Sequence, residues 1–196
     1  MMINITRPNC PNASVLSNGN YKHPDNKNAL KEASHDKCMY CESKISHVYY
    51  GDVEHIKPKS KYPSLEYEWL NLGFVCSKCN GIKKNKYDES TPYINPYEED
   101  TSEHILALGV FVRQKKGSER GEITISECLG IGLNRAQLLE RRKERLSSVQ
   151  KAIDSCFRTT NTALRKQALE ELKNECGADK EYSLCIKALL SCNDIL

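Results

Sequence analysis

The most informative stretch of the chain opens with Cys38-Met39-Tyr40-Cys41 and closes with Cys76-Ser77-Lys78-Cys79-Asn80. Between the two pairs lie Val53-Glu54-His55-Ile56-Lys57-Pro58 and Asn71. Thiolates favour zinc, and four of them close a tetrahedral shell that leaves no position for a substrate. The pairs therefore predict a structural zinc ion held by Cys38, Cys41, Cys76 and Cys79. Taken alone, they fit a zinc-stapled binding module as well as they fit an enzyme.

The polar residues between the cysteine pairs favour catalysis. Hydrolysis of a phosphodiester needs a base that activates water and a cation near the leaving oxygen. His55 supplies a base that titrates near neutral pH. Glu54 and Asn80 supply oxygen ligands of the kind that Mg²⁺ or Mn²⁺ prefers, and Asn71 can hold the loop around His55. For His23, His35, His47 and His104, by contrast, a satisfied structural imidazole is the simpler interpretation.

Lysines are concentrated beside these residues, with no acidic residue from Cys76 to Tyr87. Such local charge density is typical of phosphate-binding surfaces, although a solvated lysine-rich loop is the plainer alternative. We expect Lys57, Lys59, Lys83 and Lys84 to contact a nucleic-acid backbone without reading bases. A second basic run spans residues 134–146, where a solvated helix face competes with a nucleic-acid or partner contact.

The whole chain has 196 residues, a formal net charge of +3 and a mean hydropathy of −0.62. No apolar run approaches the roughly 18 residues of a membrane span, and no secretory signal is visible. These features predict a cytoplasmic protein. Of its ten cysteines, the six outside the CxxC pairs have no framework spacing, which predicts reduced thiols.

Periodicity divides the chain into four parts: a lead-in with a short helix capped by Asp25 (1–37), the zinc-framed core (38–91), a connector with a hairpin around Gly117 (92–132), and a helical region (133–196). In the core, strands are expected within residues 48–57 and 72–75, with a hairpin inside 48–57, and a helix over 79–86. In the last part we expect three amphipathic helices, with Asn134 and Gln137 as a capping box for the first and Asp179 as the cap of the third. The predicted fold class is α+β.

Glu54-His55, Asn71-Leu72 and Cys79-Asn80-Gly81-Ile82-Lys83, framed by CxxC pairs, resemble the signature of HNH endonucleases. The resemblance implies a zinc-stapled ββα-metal core with a small extra hairpin and a C-terminal helical region. It implies that His55 is the general base, Asn71 orients the base loop, and Glu54 and Asn80 bind the catalytic Mg²⁺ or Mn²⁺. The family usually has Asp where this chain has Glu54, so Asp52 is a further candidate ligand.

Three less specific sequence segments resemble a narrower group, the PtuB-type HNH proteins of Septu bacterial anti-phage systems. They are Lys37 to Ser43, Ile94-Asn95-Pro96-Tyr97 and Gly132-Leu133-Asn134-Arg135. The resemblance implies an ABC-like ATPase of the PtuA type as partner, for which the C-terminal helices are a natural docking surface. Because the group also occurs in retron cassettes, retron RNA or DNA components are further expected partners. DNA is the favoured substrate; RNA such as tRNA, or a non-catalytic adaptor role, remains the alternative.

Overall fold

The computed structural model describes residues 4–45 and 50–196. These residues form seven α-helices and two small antiparallel sheets, so the α+β prediction is confirmed. The helices are α1 (Ala13–Ser17), α2 (Pro24–Ala33), α3 (Ser77–Lys83), α4 (Glu119–Ile125), α5 (Ala136–Arg158), α6 (Thr162–Asn174) and α7 (Ser183–Cys192). The strands are β1 (Asp52–His55), β2 (Leu72–Val75), β3 (Ile105–Leu108) and β4 (Phe111–Gln114). No helix in the described part of the chain is long and apolar enough to cross a membrane.

The first sheet joins β1 and β2, with Asp52 opposite Val75 and His55 opposite Leu72. All four residues of β2 are buried, whereas β1 opens on a half-buried Asp52. Gly73 is needed for close packing, since a Cβ there would lie 2.2 Å from Sδ of Met39. The backbone N–H of Met39 in turn donates to the carbonyl of Phe74 at 3.0 Å, so the first CxxC pair is fastened to the sheet.

Helix α3 follows β2 after a single residue and completes a strand–strand–helix unit. Its N-cap is Cys76, whose sulfur accepts from the N–H of Cys79 at 3.4 Å. The helix ends at Lys83, earlier than the predicted residue 86. Since β1 pairs with β2, the hairpin expected inside residues 48–57 is not the pairing of this sheet; Val48 and Tyr49 lie outside the described residues.

The second hairpin lies earlier than predicted. Strands β3 and β4 turn through Gly109 and Val110, and the residues around Gly121 form helix α4 instead of a strand. The β-branched residues of Ile123-Thr124-Ile125 suggest a strand, but local side-chain hydrogen bonds favour the helix. Ser118 caps the helix by accepting from the N–H of Gly121, and Thr124 donates to the carbonyl of Arg120 at 2.7 Å.

The last part contains the three expected helices, packed around Val149, Ile153, Cys156, Leu172, Ile186, Leu190 and Ile195.

Three of the predicted helix caps are wrong. Asn134 bonds the N–H and carbonyl of Val112, so it braces β4 instead of capping α5. Helix α7 begins at Ser183, well after Asp179. In the lead-in, His23 and not Asp25 caps α2.

Candidate active site

The four cysteines of the CxxC pairs meet at one point of the core. The sulfurs of Cys38, Cys41, Cys76 and Cys79 all lie within 4.8 Å of one another, and those of Cys41 and Cys76 are 3.9 Å apart. A tetrahedral zinc with Zn–S bonds of about 2.3 Å requires sulfurs about 3.8 Å apart. The cluster could therefore hold a zinc ion. It joins the first CxxC loop to the start of α3.

Arg135, the residue before α5, faces this cluster. Its guanidinium donates to the sulfur of Cys79 at 3.5 Å and to the carbonyl of Gly132 at 3.0 Å. Burial lowers its pKa, but the thiolates of Cys79, Cys41 and Cys76 outweigh burial and leave the pKa raised. A four-thiolate zinc site carries a net negative charge, so the arginine offsets that charge and ties the C-terminal helices to the core.

Strand β1 presents alternate residues toward α3. Asp52 and Glu54 share one face of the strand because side chains alternate, and Asn80 and Lys83 lie one turn apart on the helix. The amide Nδ2 of Asn80 donates to Oδ2 of Asp52 at 3.2 Å. Nζ of Lys83 donates to Oε1 of Glu54 at 2.5 Å and to the carbonyl of His55 at 2.9 Å. Two acidic residues and one amide therefore lie together at the strand–helix junction.

The Glu54–Lys83 pair is buried, with Lys83 fully inaccessible and Glu54 6% exposed. Burial raises the pKa of Glu54 and lowers that of Lys83, against the opposing effect of their mutual attraction. The phosphate contact predicted for Lys83 is wrong, because its amine is enclosed and used internally. The pair holds the carboxylate of Glu54 in a fixed position.

His55 is the last residue of β1, and its ring is held from two sides. Nε2 lies 2.9 Å from the carbonyl oxygen of Glu66. A carbonyl oxygen only accepts, so Nε2 carries the hydrogen and Nδ1 keeps its lone pair. The ring of Tyr21 packs edge-on against the imidazole at a centroid distance of 4.6 Å. Burial lowers the pKa of His55, so the imidazole is neutral, as a general base must be.

Asn71 clamps the loop that follows His55. Its Oδ1 accepts from the N–H of Lys57 at 2.7 Å, and its Nδ2 donates to the carbonyls of Lys57 and Leu65, each at 3.0 Å. These three bonds use both functional atoms of a side chain that is 7% exposed. The bonds hold the loop that follows His55, and Asn71 does not border the pocket beside His55.

The remaining predicted lysines lie at the surface, and two of them have acidic partners. Nζ of Lys57 is 3.0 Å from Glu89, and Nζ of Lys59 is 2.6 Å from Glu66. Lys84 is exposed just after α3, in a backbone conformation with φ of 49°. In the basic run before and within α5, Arg142 is fully buried and Arg145 pairs with Glu175, which favours a structural role for that run.

One pocket of about 300 Å³ brings these groups together. Asp52, Glu54, His55 and Asn80 line it, together with Tyr21, Lys22 and Lys27. The last three residues were missed in the sequence. They lie in a lead-in rich in Asn and Pro, where no spacing links them to the cysteine frame. The adjacent pair Tyr21-Lys22 was the only local sign of a nucleic-acid contact.

Residues 38–86 match the family model of HNH endonucleases, which confirms the family resemblance for that stretch. Two curated relatives are named Septu protein PtuB. The one from Bacillus thuringiensis is 36% identical over 127 residues, covering 58% of this chain and 49% of the relative. The one from Bacillus mycoides is 29% identical over 190 residues, covering 79% of this chain and 63% of the relative. The chain thus spans about half to two thirds of the length of these relatives.

Proposed function

We propose that the chain is a metal-dependent endonuclease that hydrolyses phosphodiester bonds, with DNA as the favoured substrate, and that it is the effector of an anti-phage defence complex. The single observation that carries the chemistry is the pocket that His55 lines together with Asp52, Glu54 and Asn80. A base, two carboxylates and an amide oxygen meet there on one strand and one helix. The match of residues 38–86 to HNH endonucleases supports the same chemistry.

A divalent ion fits the donor groups of this pocket. Mg²⁺ and Mn²⁺ prefer oxygen ligands and tolerate few of them, because they retain bound waters. Nδ2 of Asn80 already lies 3.2 Å from Oδ2 of Asp52. Rotation of the amide would turn its oxygen toward the carboxylate, so that both oxygens could bind one ion. We assign Asp52, Glu54 and Asn80 as the ligands. The bound ion would offset the negative charge that develops on the phosphate and the leaving oxygen.

The protein's own residues account for the proton transfer. With Nε2 held by the carbonyl of Glu66, Nδ1 of His55 removes the proton from the water that attacks phosphorus in line. The ring of Tyr21 and the loop clamped by Asn71 fix the imidazole, which lowers the entropy cost of reaching the reactive geometry. The bond between phosphorus and the 3′ oxygen breaks, the leaving oxygen takes a proton from solvent water, and the products carry 5′-phosphate and 3′-hydroxyl ends.

A matched pair of histidine variants tests the proposal. His55→Asn removes the base, and His35→Asn makes the same change at an exposed residue outside the pocket, where φ of 53° suits asparagine. With Mg²⁺ or Mn²⁺ and supercoiled plasmid, we expect His35→Asn to cleave like wild type and His55→Asn to lose about 10²–10⁴-fold in rate. Equal rates for both variants, with or without the partner ATPase, would support a non-catalytic adaptor instead.

The substrate and partner need separate measurements. Comparing duplex DNA with tRNA under one set of conditions tests the preference for DNA. We expect an ABC-like ATPase of the PtuA type to dock on the C-terminal helices. In α6 only Leu172 is buried, while Leu164 of α6 and Phe157 of α5 are 58% and 44% exposed. Co-elution of the two proteins, weakened by Leu164→Lys, tests this; unchanged co-elution would place the contact elsewhere.

A further inference from the structure

Three residues that line the active-site pocket come from outside the residues that match the HNH family. They are Tyr21, Lys22 and Lys27, referred to below as the basic wall, and the family match begins only at residue 38. Lys22 is exposed and Lys27 is half-buried. The lining of the pocket therefore combines carboxylates from the HNH unit with two lysines from the preceding segment.

The segment that carries these residues is fastened to the core. Asn26, which is fully buried, accepts from the N–H of Asn12 at 2.9 Å and donates to its carbonyl at 3.2 Å. Further along the same chain, Arg7 donates to the carbonyl of Leu72 at 2.5 Å, and Trp69 donates to the carbonyl of Pro8 at 2.8 Å. The segment that carries Lys22 and Lys27 is thus held in place by hydrogen bonds.

The lack of an ion-pair partner separates these two lysines from three lysines of the HNH motif. Lys57, Lys59 and Lys83 each have a carboxylate partner within 3.0 Å. Neither Lys22 nor Lys27 forms an ion pair with any residue that the structure describes; Lys22 only approaches the ring of Tyr21, at 5.6 Å. Cations without internal partners at the rim of a cleft keep their full attraction for an incoming anion.

Tyr21 connects this basic wall to the catalytic base. Its ring contacts the imidazole of His55, and it is adjacent in sequence to Lys22. A phosphate bound by the two lysines would consequently lie next to the base. The ring also shields one side of His55 from water, which leaves the pocket as the direction of approach.

We propose that Lys22 and Lys27 form a binding site for the backbone phosphates that flank the scissile bond of the substrate strand. This inference rests on the proposed nuclease function and names a substrate contact for that same pocket. The ligand chemistry is a phosphodiester backbone, which DNA and RNA share. The site sets affinity, and His55 with the metal ligands sets the rate of the chemical step.

The test uses the full chain with Lys22→Gln/Lys27→Gln, which removes both charges and keeps most of each stem. Lys116→Gln/Lys151→Gln is the matched control, since both lysines are exposed, lie outside the pocket and change the net charge equally. Binding of a fluorescent 30-base-pair DNA duplex and of tRNA is measured in the His55→Asn background over a range of salt concentrations. Zinc content and thermal unfolding confirm that all variants are folded.

We expect loss of two phosphate contacts to reduce the slope of log K against log salt by about 1.8 for the duplex. If the variant and the parent protein bind equally at 1 M salt, the variant should bind about 30-fold more weakly than the parent at 0.15 M salt. The control should match the parent protein. In the background with native His55, KM should rise while kcat stays within about threefold. A change with tRNA alone would retain the site and identify RNA as the source of the phosphate.

Two results overturn the inference: slopes equal to those of the control for both probes, or no binding of either probe by the parent protein. Failure of the nuclease proposal is a different result, because it is read from cleavage. In that case the protein with native His55 fails to cut while its binding is still measured. The two proposals can therefore fail separately.

Discussion

The buried pair between Lys83 and Glu54 should be strongly coupled in free energy. Nζ of Lys83 donates to Oε1 of Glu54 at 2.5 Å and to the carbonyl of His55 at 2.9 Å, and Lys83 has no exposed surface. Removing one partner of a buried pair leaves an uncompensated charge, which costs about 3–5 kcal/mol. Glu54 borders the pocket and is 6% exposed, so water reaches it in part. We therefore expect Lys83→Met to cost about 3 kcal/mol, at the lower end of that range.

A double-mutant cycle isolates this coupling. Glu54→Gln alone leaves the ammonium of Lys83 without its carboxylate and should cost about 3 kcal/mol, since the amide oxygen of Gln can still accept from Nζ. In Lys83→Met/Glu54→Gln neither charge remains. The double variant should consequently be more stable than the sum of the single losses predicts, by at least about 1.5 kcal/mol. A stability of about 5–15 kcal/mol for a domain leaves each variant measurably folded.

Urea unfolding followed by the fluorescence of the single tryptophan measures the cycle. Trp69 is well placed as a reporter, because its indole donates to the carbonyl of Pro8 next to the core. With a slope of about 2 kcal/mol/M, Lys83→Met should lower the midpoint by about 1.5 M. Zinc content should be the same in all four proteins. Additive losses, with a coupling below about 0.5 kcal/mol, would refute the buried ion pair as the reason for the position of Glu54.

Two further predictions concern the zinc cluster and the connector. Cys79→Ser should lose the single zinc ion and the cooperative unfolding of the core, whereas Cys128→Ser, an exposed cysteine outside the cluster, should retain both by elemental analysis; equal zinc in the two variants would contradict the site. Burial raises the pKa of Glu99, but hydrogen bonds from Arg120 at 2.5 and 2.8 Å outweigh burial and leave the pKa lowered. Because the folded-state pKa is the lower one, this stabilisation is present above the unfolded pKa of about 4.3 and disappears as pH falls through the folded value. Stability should therefore fall less on acidification in Glu99→Gln than in wild type; parallel curves would contradict it.

The sequence predicted the local parts of the site well. Two cysteines in CxxC spacing can bind the same metal ion, so the four cysteines could be identified as zinc ligands without any knowledge of the fold. Glu54 and His55 are neighbours, and strand alternation places Asp52 beside Glu54. What the pattern could not give was the partner of each charge. Lys83 looked like its lysine neighbours in the sequence, and only the packing of α3 on β1 shows that it is used internally.

The parts that were missed depend on contacts distant in sequence. Tyr21 reaches His55 because Asn26 and Arg7 fasten the lead-in to the core, and neither residue has a spacing that announces this role. Asn134 has the local form of a helix cap, but its side chain satisfies both peptide groups of Val112. For Asn134 a local and a tertiary partner were both possible, and its side chain bonds the tertiary one.

Under the proposed function, the charges that line the pocket imply that residues 38–86 alone would bind nucleic acid weakly. Within that stretch the pocket presents Asp52 and Glu54, and the nearest lysine, Lys83, is already paired. Such a cleft repels a phosphate backbone before any ion is bound. Lys22 and Lys27 match the two carboxylates in number, and a divalent ion would make the pocket net positive. If Lys22 and Lys27 bind the backbone as proposed, affinity for the substrate depends on a segment that the family signature does not include, and proteins with the same HNH motif can differ in substrate through their flanking residues.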